Sequence, residues 1–251
     1  MKPRLLSIAV VLCALVLLAV GPWWVWREFW SASLLVHAVD TSDIDAANKL
    51  LVWGARTDGR ENVEDTALHY AVRVGNPDLV KILLDHGADV NAVGDFNKTP
   101  LHLAANCGSV YIGRMLIEAG GRLDARELDG DTPLHEVAEI DNFPMSRLFV
   151  DHGADLNARN GRNETPLHVA IAYRDVELTK LLIDRGADLS VRNFEGKTPL
   201  DVAKKITDSM GLVELLSSGR AQVQVRPNTP SPLSSGKPES PAVSESLDVG
   251  P

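Results

Sequence analysis

TPLHLAANCG, residues 99–108, sets a threonine, a proline, a leucine and a histidine in front of an alanine-rich run that ends on glycine. TPLH returns at 132–135 and 165–168, TALH stands at 66–69, and TPLD closes the series at 198–201. The threonines Thr66, Thr99, Thr132, Thr165 and Thr198 lie 33 residues apart. A second marker keeps the same interval: Gly54, Gly87, Gly120, Gly153, Gly186 and Gly219 define six copies without an insertion. Self-similarity at this period marks a stack of small units, none of which can bury its apolar face alone.

Each position of the copy has a physical reading. Threonine is a good helix N-cap, and proline suits the first helical position, where its missing N–H is no loss. Leu101 and Ala104 then fall on one face of a short helix, and small alanines at 104, 105 and 170 allow neighbouring helices to approach closely. A second helix supplies Val80, Leu83 and Leu84, with Leu116 and Ile117, then Leu182 and Ile183, as equivalents. The glycine after it is expected to end the helix in the left-handed conformation. His86, His152 and Arg185, one residue earlier, suit the negative end of the helix dipole. The first copy reads SLLVHAV at 33–39, and the last has Asp201 for the histidine, as terminal units with one unstacked face allow. Gly121 in place of the usual alanine, and Asp141 where Gly75 and Gly108 stand, predict a looser seam in the fourth copy.

TPLH, together with LLDHGADVN (83–91), FVDHGADLN (149–157) and LLIDRGADL (181–189), resembles the ankyrin repeat. The resemblance covers roughly 28–221 and implies an all-α solenoid of about six helix–turn–helix units. It also implies that the histidines hydrogen-bond within the TPLH turn and tie successive units together. A metal site on His69, His102, His135 and His168 is a poor alternative. Copies one helix-packing distance of about 8–10 Å apart cannot bring ligands within about 2.1 Å of one zinc ion.

The N-terminus has a different character. Residues 5–26 carry no charge, and 22 helical residues span about 33 Å, enough for a bilayer core. Trp23, Trp24, Trp26 and Trp30 stand where such a helix would leave the membrane, as an interfacial aromatic belt does. Lys2 and Arg4 precede the span, which places the N-terminus in the cytoplasm and the body outside. The expectation is one transmembrane signal-anchor over 1–27, in a bacterial inner membrane facing the periplasm. The alternative is a signal cleaved before Leu34, after Ser31-Ala32-Ser33, leaving a secreted or periplasmic protein. Residues 222–251 are rich in proline and serine without apolar periodicity and are expected to be a disordered tail.

Composition restricts the function. Residues 1–27 hold Lys2, Arg4 and Arg27 but no acid, so the remainder has 22 basic against 34 acidic residues, a net −12. That sign argues against nucleic acid. Cys13 and Cys107 are the two cysteines, with no CxxC or Cys/His zinc spacing. No GxSxG, P-loop or GxGxxG occurs. Asp129/Asp131 and Glu136/Glu139 read as solvated loop and helix faces, and the Asn97 and Asn163 sequons arise from the repeat itself. The chain reads as a non-enzyme with no catalytic residues, cofactor or metal.

By resemblance, binding of a protein partner falls to the loop tips and the exposed side of each first helix. The tip positions include Asn62, Val63, Asp95, Phe96, Leu128, Asp129, Gly161, Arg162, Phe194 and Glu195. The helix positions include Arg73, Val74, Asn106, Cys107, Glu139, Ile140, Ala172 and Tyr173. Aromatic and arginine anchors dominate interface energies, which singles out Arg73, Phe96, Arg162, Tyr173 and Phe194. The expected function is a monomeric, membrane-tethered protein-binding scaffold. The alternatives are an immunity protein that neutralises a periplasmic enzyme or toxin, and an accessory factor for a periplasmic enzyme.

Overall fold

The computed structural model describes residues 31–59, 65–206 and 210–225; the expected anchor over 1–27 lies outside them. Among the described residues there are twelve α-helices, paired as six hairpins. The first helices are α1 (Ser31–Asp40), α3 (Ala67–Val74), α5 (Pro100–Cys107), α7 (Pro133–Ala138), α9 (Pro166–Ala172) and α11 (Pro199–Ala203). Their partners are α2 (Ile44–Val52), α4 (Pro77–Asp85), α6 (Val110–Glu118), α8 (Phe143–Asp151), α10 (Val176–Asp184) and α12 (Met210–Val225). Each helix packs on its hairpin partner and on the equivalent helices of the adjacent copies, which gives two layers running in register. None of the described helices is long and apolar enough to cross a membrane.

The core repeats with the sequence. Leu68, Leu101, Leu134 and Leu167, one per first helix, are fully buried, as are Leu79, Ile112, Met145 and Leu178 on the second helices. Leu83, Leu116, Phe149 and Leu182 form a third buried rung. Burying one such side chain contributes about 1.5–3 kcal/mol, so stability accumulates copy by copy.

Both helices of every internal hairpin are capped. Thr66, Thr99, Thr132 and Thr165 cap the first helices in extended conformation, each in a reciprocal capping box with the histidine three residues on. The second helices have their own ladder, Asp43, Asn76, Ser109, Asn142 and Asp175, whose side chains accept from backbone N–H groups of the first turn. The residue before each of these caps, Ser42, Gly75, Gly108, Asp141 or Arg174, is left-handed whatever its side chain. At the far ends, the His86 and His152 rings bond the carbonyls of Ile82 and Leu148 at 2.9 and 2.8 Å. Arg185 bonds Asp151 of the preceding copy at 2.7 Å.

Three expectations need correction. The fourth-copy seam keeps the pattern of the others: Gly121 N–H donates to the Leu116 carbonyl at 2.8 Å, as Ala88 and Ala154 do to Leu83 and Phe149. Asn142 Nδ2 also reaches back to the Gly108 carbonyl at 3.0 Å. Gly54, Gly87, Gly120, Gly153 and Gly186 have positive φ, but Gly219 lies inside α12 and ends nothing. That last helix continues to Val225, past the boundary expected at 221. The rest of the tail, from 226, lies outside the described residues.

Candidate functional site

The histidines belong to the scaffold. In α3 the Thr66 N–H donates to His69 Nδ1 at 3.1 Å, with the Thr66 hydroxyl 2.8 Å from the same nitrogen. The proton therefore sits on Nε2, which donates to the Lys98 carbonyl in the next copy at 3.1 Å. His102, His135 and His168 repeat the arrangement, reaching the carbonyls of Asp131, Glu164 and Lys197 at 3.2, 3.1 and 3.2 Å. Both ring nitrogens of each are thus engaged, as the resemblance implies. Burial pushes the pKa of His102, His135 and His168 below the usual histidine value. In the last copy the Asp201 carboxylate accepts from the Thr198 N–H and hydroxyl, which lowers its pKa. It caps its own helix and reaches no further. In the first copy Val36, buried, occupies the histidine register.

What the histidines hold in place is the row of tips between copies. Glu127, Asn160 and Asn193 stand 33 residues apart at the start of three tips. Each folds its tip by accepting two backbone N–H bonds through one side-chain oxygen, from Asp129 and Asp131, Arg162 and Glu164, and Glu195 and Lys197. The corresponding residue in the tip before them is Gly94, where an added Cβ would fall 2.2 Å from Asp65 Oδ1 and 2.8 Å from His69 Nε2. Neighbouring tips are joined by backbone bonds, Leu128 N–H to Phe96 O (2.8 Å), Gly161 N–H to Asp129 O (2.7 Å) and Phe194 N–H to Arg162 O (2.9 Å). The tips form one continuous ribbon.

The ribbon displays the predicted anchors unequally. Phe194 and Phe96 are 80% and 69% exposed, and Phe96 takes a left-handed conformation with φ 55° that lifts it to the apex. Leu128 is equally open, and Arg162 is exposed beside it. Tyr173, at the end of α9, is 55% exposed, and the charge of Glu139 in the preceding copy raises the phenol pKa. Arg73 is half committed: it pairs with the buried Asp65 and stacks over Tyr70 at 5.0 Å from the ring centre. Truncating it would leave a buried carboxylate without its cation. Asn62 and Val63 lie outside the described residues.

Behind the tips, Val74, Cys107, Ile140 and Tyr173 occupy one register at the ends of successive first helices, and all four are exposed. They make an apolar column beside the ribbon. Partial desolvation raises the pKa of the Cys107 thiol, against the opposing charge of Arg73. Glu136 differs from the expectation of a solvated helix face. It is buried and ion-paired with Lys98 of the preceding tip at 2.7 Å. Sequence reasoning missed this pair, since its partners are far apart in the chain and neither position is distinctive by type.

Tandem helical hairpins with their tips joined into a ribbon define a repeat solenoid that offers an extended recognition surface. Family models for ankyrin repeats match the chain over 34–127 (three copies), 129–161 (one repeat) and 150–203 (many copies). The chain belongs to the ankyrin-repeat family, whose arrays are protein-interaction scaffolds and typically non-enzymatic binding modules. No curated protein matches it.

Proposed function

We propose that this protein is a non-enzymatic scaffold that binds a protein partner along the tip ribbon and the apolar column, tethered by residues 1–27 and displayed on the extracytoplasmic side of a membrane. The observation that carries the binding surface is the row of exposed Phe96, Leu128 and Phe194 on tips whose backbones are fixed by hydrogen bonds. Large rings held on a rigid frame lose little entropy on binding and make effective anchors. The uncharged stretch at 5–26, with basic residues before it and tryptophans at its end, supports the tether and its orientation. The test combines a phosphatase reporter fused after Val225 with a photo-crosslinking residue at position 194 in intact cells. Reporter activity outside the membrane and a discrete protein adduct are expected. Activity confined to the cytoplasm overturns the orientation, and the absence of any protein adduct overturns the binding surface.

A further inference from the structure

The acids along this face are not distributed evenly. At the second copy Asp65 is paired with Arg73, on the other side of the fourth copy Glu136 is paired with Lys98, and at the last tip Glu195 is paired with Lys197. Between the fourth and fifth copies the compensation stops. Asp129, Asp131, Glu139 and Glu164 line one groove of about 470 Å³, and Arg162 is its one cationic lining residue. None of these four acids is ion-paired among the described residues, so the groove carries four negative charges against one positive. The rest of its lining is Asn160 and Gly161 together with an apolar side made of Leu128, Val169, Ala172 and the Tyr173 ring. Glu139 shows the resulting strain on the charged state, its pKa raised by burial and by the charges of Glu136 and Asp131.

Extending the scaffold reading above, on which this rests, we infer that the groove between the fourth and fifth copies receives a lysine or arginine side chain from a partner protein, presented between apolar residues. The long alkyl stem of such a residue fits the walls of Leu128, Ala172 and Tyr173, while its charged head meets Glu139, Asp131 and Asp129. The ring of Tyr173 adds a favourable face for a cation. Charge decides among the possible occupants. The chain's own residues 222–251 hold Arg226 and Lys237 against Glu239, Glu245 and Asp248, a net −1. A second copy of the chain brings a net −9. Both would add like charge to a groove that already has an excess of it. A basic segment on another protein would remove that excess and gain in association rate at low salt.

The experiment uses the full-length protein in detergent and three fluorescent 12-residue peptides, identical except for a central Arg, Gln or Glu flanked by leucines, read by fluorescence polarisation. The Arg peptide is expected to bind at least tenfold more tightly than the Gln peptide, with the preference shrinking as salt rises. The preference should vanish in a Glu139→Gln/Asp131→Asn variant, in which the amide oxygen at position 131 still accepts from Asn160. Its thermal midpoint, measured alongside, should match that of the parent protein. An Arg preference that survives the double substitution places the site elsewhere and overturns the inference, as does failure of all three peptides to bind. Equal binding of the three, or preference for the Glu peptide, overturns the cationic specificity while leaving the scaffold reading standing. That reading fails separately, on the crosslinking at position 194.

Discussion

At the N-terminal ends of α3, α5, α7 and α9 the same threonine and histidine recur, buried and bonded alike in every copy. At the C-terminal ends of the same helices stand Val74, Cys107, Ile140 and Tyr173, exposed and different in size from copy to copy. One helix is uniform where it is load-carrying and varied where it meets solvent. The uniform end fixes the spacing of the copies, so the varied end can change without disturbing the stack. Stability and specificity are thus assigned to residues only two turns apart.

The widest separation between the two ends should appear on acidification. The lowered pKa of His102, His135 and His168 means that the unfolded chain binds more protons than the folded one below the ordinary histidine value of about 6.5. Stability present above that pH is lost as pH falls through it, by up to about 1.4 kcal/mol per pH unit for each imidazole. Urea midpoints measured from pH 7.5 to 5 should fall accordingly. A flat profile would mean that the rings accept protons in place.

His102→Ala tests one rung alone. It leaves the Thr99 N–H and the Asp131 carbonyl without partners in a buried site and should cost about 3 kcal/mol in denaturant unfolding. Asp201→Ala removes only a cap from the last copy and should cost about 1 kcal/mol. Equal losses would erase the distinction between internal and terminal copies.

A smaller effect, of opposite sign, is expected at the second-helix caps. Asp175 is buried, its Oδ2 has no partner, and burial raises its pKa. The equivalent Asn142 donates from Nδ2 to the carbonyl 34 residues earlier. By register the matching acceptor for residue 175 is the Asp141 carbonyl, and a carboxylate has no proton to offer it. Asp175→Asn should therefore stabilise the protein by about 1 kcal/mol at pH 7, visible as a raised thermal midpoint. The gain should shrink toward acid pH, where the native carboxyl becomes protonated. The smallest effect belongs to the tips: Phe194→Ala should shift stability by less than about 0.5 kcal/mol while weakening capture in the crosslinking experiment. A large stability loss would make Phe194 part of the core.

The architecture was legible in the sequence because its period is unbroken and the TPLH residues each have a defined helical task. The second-helix caps at 43, 76, 109, 142 and 175 share that period but are not marked by a constant letter, since Asp, Asn and Ser alternate there. The left-handed residues before them were hidden similarly, because only Gly75 and Gly108 announce the conformation that Ser42, Asp141 and Arg174 also adopt. Exposure of Phe96, Tyr173 and Phe194 followed from their places in the copy. The commitment of Arg73 to Asp65, and of Glu136 to Lys98, did not. Those pairs depend on side-chain reach across the groove, which spacing alone does not encode. For the same reason the sequence does not separate the unpaired acids of the groove between the fourth and fifth copies from the paired ones elsewhere.

The imidazole bond also has a direction. His69, His102, His135 and His168 all reach forward, to a carbonyl 29 residues later in the chain. As the polypeptide leaves the ribosome or an export channel, each finished hairpin would already hold out a donor to the segment still emerging. The array can therefore assemble vectorially, with Asp201 bringing that succession to a stop.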